Sequence, residues 1–169
     1  EHIVSATGNF ARKTGAMVGI DIPVIPVEHQ YIVTEPHPAI QERQAQGLPE
    51  MGVLRESDGS WYMREENGGL LLGPYEVGAP VCYFDGPDEN SEYELFQEDL
   101  ERLMPHIESA IARVPAFAEV GVKKVYNGAI AYTPDGSPIV GPAWDLPNFW
   151  LNEGHSFGIT AAGGAGWQL

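Results

Sequence analysis

At 169 residues, with 43% hydrophobic and 20% charged side chains, the chain is long enough for a core of ordinary size and is not composed like a disordered segment. Its 24 acidic and 9 basic residues leave a net charge of -15, which repels phosphate backbones and anionic lipid and argues against nucleic-acid or membrane-surface partners. Cys82 stands alone, so no intrachain disulfide can form, and no run approaches the roughly 18 apolar residues of a membrane span. A cytoplasmic protein is expected, with room for a targeting segment upstream of Glu1.

Residues 1–5 read as a strand already under way, without an initiator Met, that gives way at Ala6-Thr7-Gly8. Phe10, Ala11, Thr14, Met17 and Val18 suit one face of a helix that Gly19 stops. Pro23 and Pro26 punctuate entry to a strand over 27–34. Val27, His29, Tyr31 and Val33 share one of its faces; Glu28, Gln30, Ile32 and Thr34 share the other. Residues 35–50, with Pro36, Pro38, Gly47 and Pro49, read as a loop.

A meander follows. Strands are expected over 52–56, 61–65 and 70–73, joined by turns at Asp58-Gly59 and Asn67-Gly68-Gly69, which implies an antiparallel sheet. After an acidic loop over 78–90, Ser91-Glu92-Tyr93-Glu94 has the form of a capping box. Phe96, Leu100, Leu103, Met104, Ile107, Ile111 and Val114 continue at helical spacing, as a helix covering a sheet face would, with Pro105 opening a second helical piece. A strand over 121–132 is interrupted by Asn127-Gly128, and short strands are expected over 137–141 and 148–152. The glycine-rich run from Gly154 turns into a helix at Gly158, and the chain stops at Leu169 within it. Both ends are therefore expected to be cuts in a longer protein.

The chemistry these residues offer is limited. Ala6-Thr7-Gly8 and the turn before Gly158 are places where backbone can approach a flat or anionic ligand, or where helices simply pack closely. His29 is either a hydrogen-bonded core residue or a catalyst. Tyr62 and Arg64, two apart on one strand face, suit a carboxylate ligand or a salt-bridged sheet surface. His155-Ser156 lacks the Gly-x-Ser-x-Gly elbow of a serine hydrolase. His2, His37 and His106 have no metal-ligand spacing, so no metal is expected, and neither GxGxxG nor a Walker sequence occurs.

Three strings together resemble the dimethylglycine and sarcosine dehydrogenase branch of the D-amino-acid oxidase superfamily. The first is Ser5-Ala6-Thr7-Gly8-Asn9-Phe10-Ala11-Arg12, followed by Val27-Glu28-His29-Gln30-Tyr31 and its continuation to Pro36. The second is Tyr62-Met63-Arg64-Glu65 with Gly73-Pro74-Tyr75-Glu76. The third is Tyr132-Thr133-Pro134-Asp135-Gly136-Ser137-Pro138, then Gly154-His155-Ser156-Phe157-Gly158-Ile159 and Ala162-Gly163-Gly164.

The resemblance implies an α+β fold. Its substrate domain would have a mainly antiparallel sheet flanked by helices, with partial Rossmann-like FAD-binding elements at both ends. Residues 1–22 would be a late strand and helix of the FAD domain, 23–128 the substrate domain, and 129–169 the return over the flavin. It implies His29 and Tyr62 as catalytic residues and Arg64 at the substrate. Ala6, Gly8, Ser156, Phe157, Gly158 and Ile159 would lie at FAD. The implied reaction oxidises a C–N bond of an N-methylated amino acid with hydride transfer to FAD, the iminium product releasing formaldehyde. The partners would be a small-molecule amine and, as electron acceptor, oxygen or an electron-transfer flavoprotein. The family's N-terminal nucleotide fingerprint would precede Glu1, so the chain alone is expected to be inactive. A non-catalytic domain binding a small acid or a protein is the alternative reading.

Overall fold

A computed structural model describes residues 1–92 and 94–169. Two compact units emerge. One comprises Glu1–Glu28, Pro80–Glu94 and Ala129–Leu169; the other comprises His29–Ala79 and Leu95–Gly128.

The first unit contains a three-stranded sheet. Strand β1 (Ile3–Ser5) pairs in parallel with β8 (Leu146–Glu153), which pairs antiparallel with β7 (Ile139–Ala143). After a 3-10 turn at Gly8–Phe10 comes helix α1 (Ala11–Met17), which ends as expected before Gly19, at φ 80°. Its Ala11 joins Ile22, Val24, Ala131, Ala143, Phe149 and Leu151 in one core. Gly15 is required by packing, because a Cβ there would press on the Ile20 carbonyl and the Ile22 side chain. The glycine-rich end forms α4 (Gly158–Gln168).

The second sheet has the order β3 (Leu54–Glu56), β4 (Trp61–Glu66), β5 (Gly69–Pro74), β2 (Ile25–Thr34), β6 (Val122–Tyr132). The β3–β4 and β4–β5 pairings are antiparallel, as their connecting turns require, and β5–β2 is antiparallel too. Alternation divides this sheet cleanly. Trp61 and Met63 of β4, Leu70 and Leu72 of β5 and Ile32 of β2 are buried with Leu103, Ala110 and Phe117. Two of these, Leu103 and Ala110, belong to helix α3 (Leu100–Arg113), and the Trp61 indole donates to the Ser109 hydroxyl at 3.0 Å. Burying side chains of this size contributes about 1.5–3 kcal/mol each. The opposite face of the sheet carries Tyr31, Val33, Tyr62, Arg64, Leu71 and Tyr126.

Several local expectations are corrected. Residues 35–50 are not all loop: Pro38–Ala45 is helix α2, with Pro38 in its first turn and His37 Nδ1 accepting from the Ala39 amide at 3.1 Å. The prolines that suggested a loop instead open a helix, where no donor is needed. Helix α3 starts at Leu100, capped by the Asp99 carboxylate, which accepts from Arg102 N at 3.0 Å. The Ser91 hydroxyl instead bonds Glu94 at 3.1 Å, and Tyr93 of the expected capping box lies outside the described residues. Pro105 sits inside α3 on an exposed side, where solvent can satisfy the carbonyl that lacks its amide donor. Strand β6 runs through Asn127-Gly128 unbroken, because the Asn127 side chain turns away to donate to the Gln97 carbonyl at 2.8 Å. Among the described residues no helix is long and apolar enough to cross a membrane.

Candidate functional site

The open face of the five-stranded sheet forms a cavity of about 550 Å³, a size that suits a small ligand. Val33 and Leu71 make an apolar floor. Tyr31, Tyr62 and Tyr126 form the walls, and Arg64, Glu66, Lys123 and Lys124 supply charge. Strand alternation places Tyr62 and Arg64 here together, two residues apart on β4.

Each wall residue is held by a neighbour. Tyr31 and Tyr126, on the adjacent strands β2 and β6, stack with centroids 4.7 Å apart and planes 16° apart. Tyr62 lies opposite Gly73 in the β4–β5 pairing, and its ring occupies the space a Cβ at Gly73 would fill. It tilts against Tyr75 at 5.9 Å, and Arg55 in turn donates to the Tyr75 hydroxyl at 2.9 Å. Burial raises the Tyr62 phenol above its ordinary range, reinforced by Tyr75 and opposed by Arg64. Burial likewise raises Tyr31, with Tyr126 and Tyr62 adding to the effect. Both phenols therefore stay protonated at neutral pH and can donate. Arg64 Nη1 bonds Glu66 at 2.6 Å and the Glu65 carbonyl at 3.0 Å.

His29 shares the Tyr31 side of β2 by alternation, but it is not among the residues lining the cavity. Its Nδ1 lies 3.7 Å from Glu76, whose side chain is 0% exposed. Glu76 accepts from the Gln30 amide at 2.6 Å, from Gln30 Nε2 at 2.8 Å and from Arg102 Nε. Burial lowers the His29 pKa below its ordinary value; Glu76 opposes this and Arg102 adds to it. The imidazole is therefore neutral at pH 7 and able to accept a proton. Glu76 falls in the Gly73-Pro74-Tyr75-Glu76 string of the resemblance, but its role was not legible in the sequence, since in so acidic a chain it was one acid among many.

The residues expected at a flavin all belong to the other unit. Ala6 and Gly8 follow β1, and Ser156, Phe157, Gly158 and Ile159 lead into α4. A residue missed by the sequence reading organises the first of these loops. Glu153, 1% exposed at the end of β8, accepts from the Ser5 hydroxyl at 2.6 Å and from the Thr7 amide at 2.8 Å. It also accepts from the Thr7 hydroxyl and the Gly8 amide, each at 2.9 Å. The sequence signal would have been a carboxylate placed within an apolar strand. Gly154, at φ 74°, follows it, and a Cβ there would overlap Thr133. At the second loop, the Phe157 cap makes no side-chain hydrogen bond to α4 and Ile159 is 99% exposed.

The model of the FAD dependent oxidoreductase family matches residues 1–169. The chain belongs to this family. Among its relatives, the chain is 40% identical over 172 residues to the mitochondrial dimethylglycine dehydrogenase of Rattus norvegicus, covering 99% of the chain and 20% of that protein. It is 33% identical over 168 residues to the mitochondrial sarcosine dehydrogenase of Mus musculus, covering 99% and 17% respectively. The chain thus spans about a fifth of the length of these curated relatives. In fold it is similar to the crystal structure of glycine oxidase from Geobacillus kaustophilus, with a TM-score of 0.69 at 21% identity over 99% of the chain and 40% of that structure. The α+β architecture with an antiparallel sheet and flanking helices agrees with the sequence reading.

Proposed function

We propose that this chain is the substrate-selecting part of an FAD enzyme that oxidises the C–N bond of an N-methylated amino acid of the dimethylglycine or sarcosine type. The observation that carries the reading is the cavity with donor phenols and a basic rim on an otherwise strongly acidic chain. The relatives' activities, toward dimethylglycine and sarcosine, suit such a cavity.

The uncapped first turn of α4 and the exposed apolar side chain of Ile159 fit a flat, electron-accepting ring system. Backbone donors there can face developing negative charge while an apolar side chain meets the ring. Ser156, Phe157, Gly158 and Ile159 would hold that group. Ala6 and Gly8 would sit on the loop that Glu153 fixes. Segments 1–22 and 129–169 would then serve FAD, and 23–128 the substrate. FAD, when bound, supplies the acceptor for the hydride taken from the substrate carbon.

The rest of the chemistry belongs to the protein. Tyr62 is the catalytic phenol: it donates to the substrate and orients it, and Tyr31 stands beside it. Val33 and Leu71 exclude water from one side. Neutral His29, on the Tyr31 side of β2 but outside the cavity lining, takes the proton from the ammonium form of the substrate and leaves the nitrogen lone pair free, and Arg64, held by Glu66, adds to the positive field that draws the acid end into the cavity. Electrons leave to oxygen or to an electron-transfer flavoprotein.

The test is anaerobic mixing of the full-length protein with dimethylglycine or sarcosine. Bleaching of the flavin absorbance is expected, and reoxidation on admitting air separates oxygen from a protein acceptor. A flavin that stays oxidised with both, and with other secondary and tertiary amines, removes the assignment.

A further inference from the structure

We propose that the substrate carboxylate is paired with the Lys124 ammonium, so the chain selects amino acids by a lysine on β6. This rests on the reading of the cavity as the substrate site.

Three of the chain's 9 basic residues line this one cavity, although the whole chain carries a net charge of -15. Concentrating positive charge on one concave surface of an acidic chain creates a local field that attracts an anion. The three cations are not equivalent. Arg64 is held by Glu66 at 2.6 Å and by the Glu65 carbonyl at 3.0 Å, so its charge is matched and its fork partly used. Engaging a substrate carboxylate there would bring two carboxylates to one guanidinium, a repulsive arrangement.

Lys124 differs. Among the described residues it forms no ion pair, and its Nζ lies 4.4 Å from the centroid of the Tyr126 ring. The π-face fixes the ammonium without neutralising it, which leaves its donors available. The support continues inward, because Tyr126 is itself stacked on Tyr31. A mobile four-carbon side chain is thereby held at one place on the rim. Lys123 also lines the cavity, but alternation on β6 gives it no place over the Tyr126 ring, so its ammonium lacks that support. Lys124 shares its side with Tyr126, two residues on.

The geometry also gives an order of events that needs no bond to change. The carboxylate meets the exposed ammonium first, and the amine end then reaches the tyrosines on the same face. A substrate lacking the acid would lose the first contact and keep the second.

The experiment uses the full-length FAD-loaded protein and methoxyacetate, which has the carboxylate of sarcosine but an ether oxygen in place of nitrogen. Calorimetry measures its Kd for wild type and for K124Q, K124R, K123Q, R64Q and Y62F. A charge-assisted contact of this type predicts a Kd raised about tenfold or more by K124Q. Recovery to within about threefold of wild type in K124R and little change in K123Q are also expected, since the effect is one of charge at one position. Unaltered binding in K124Q with loss in R64Q or K123Q overturns the Lys124 assignment and leaves the cavity as the substrate site. Unaltered binding in K124Q, R64Q and Y62F together overturns the cavity reading as well. Because Lys124 is exposed, K124Q should keep the melting temperature of wild type, so a loss of binding reports on recognition rather than on folding.

Discussion

The Tyr62 ring lies in the space left by the missing side chain of Gly73, its partner across the β4–β5 ladder. Glycine is used here for close approach rather than for its backbone freedom. Gly73→Ala should force the phenol out of the sheet face, with an overpacking cost of about 1–3 kcal/mol. Stopped-flow flavin reduction is expected to slow at least as much as in Tyr62→Phe. A Gly73→Ala protein that reduces its flavin at the wild-type rate would show that the ring position is immaterial.

Replacing His29 by Ala should slow flavin reduction more than tenfold while the flavin spectrum is retained, since a positioned general base contributes about a hundredfold or more. Because burial lowers the His29 pKa, the working neutral form persists below the ordinary value of 6.5. The rate should fall only as pH drops through that lowered folded value, and the fall should vanish in His29→Ala. Stability follows the same direction. The unfolded chain takes up the proton first, so stability is lost as pH falls from about 6.5 toward the folded pKa. A rate profile with the same acid limb in both proteins would remove His29 from the mechanism.

Glu76→Gln leaves the largely buried Arg102 side chain, 11% exposed, facing an amide and takes away the carboxylate that favours protonation of His29. Breaking a buried pair from one side costs about 3–5 kcal/mol, which urea denaturation would read directly. The acid limb of the rate profile should move further down in pH. A stable variant with an unmoved limb would mean that Glu76 neither holds the fold nor tunes the histidine.

Glu153→Gln keeps the shape of the side chain but removes its charge and one of its acceptor oxygens. The Thr7 and Gly8 amides would then compete for one acceptor, at a cost of about 1.5–3 kcal/mol for hydrogen bonds to a charged group. Faster hydrogen exchange at these two amides is expected, together with FAD affinity lowered about tenfold. Wild-type exchange at both would show that the loop is held by other means.

What could be read in advance followed the reach of each signal. Tyr62 and Arg64 were placed together because a period of two needs only a strand to be recognised. The antiparallel meander was legible because its turns carry glycine and asparagine at the required places. The start of α3 was misplaced because Ser91 and Glu94 have the right identities for a cap, yet the bond they make is with each other. Gly73, Glu76 and Glu153 share a different difficulty. Each acts on a partner brought close by pairing or packing, and nothing beside them in sequence announces it. The division of labour among Arg64, Lys123 and Lys124 likewise depends on Glu66 and Tyr126, which only the folded sheet brings alongside.

Strand β4 carries two independent inventories in alternate positions. Trp61 and Met63 belong to the core under α3, while Tyr62 and Arg64 belong to the chamber. Substitutions at the second set can therefore reshape the chamber without passing through an unstable intermediate. Insertion or deletion of a single residue has no such freedom: it would turn the indole into the chamber and bury the guanidinium, so divergence along this strand is confined to exchange of side chains at constant length.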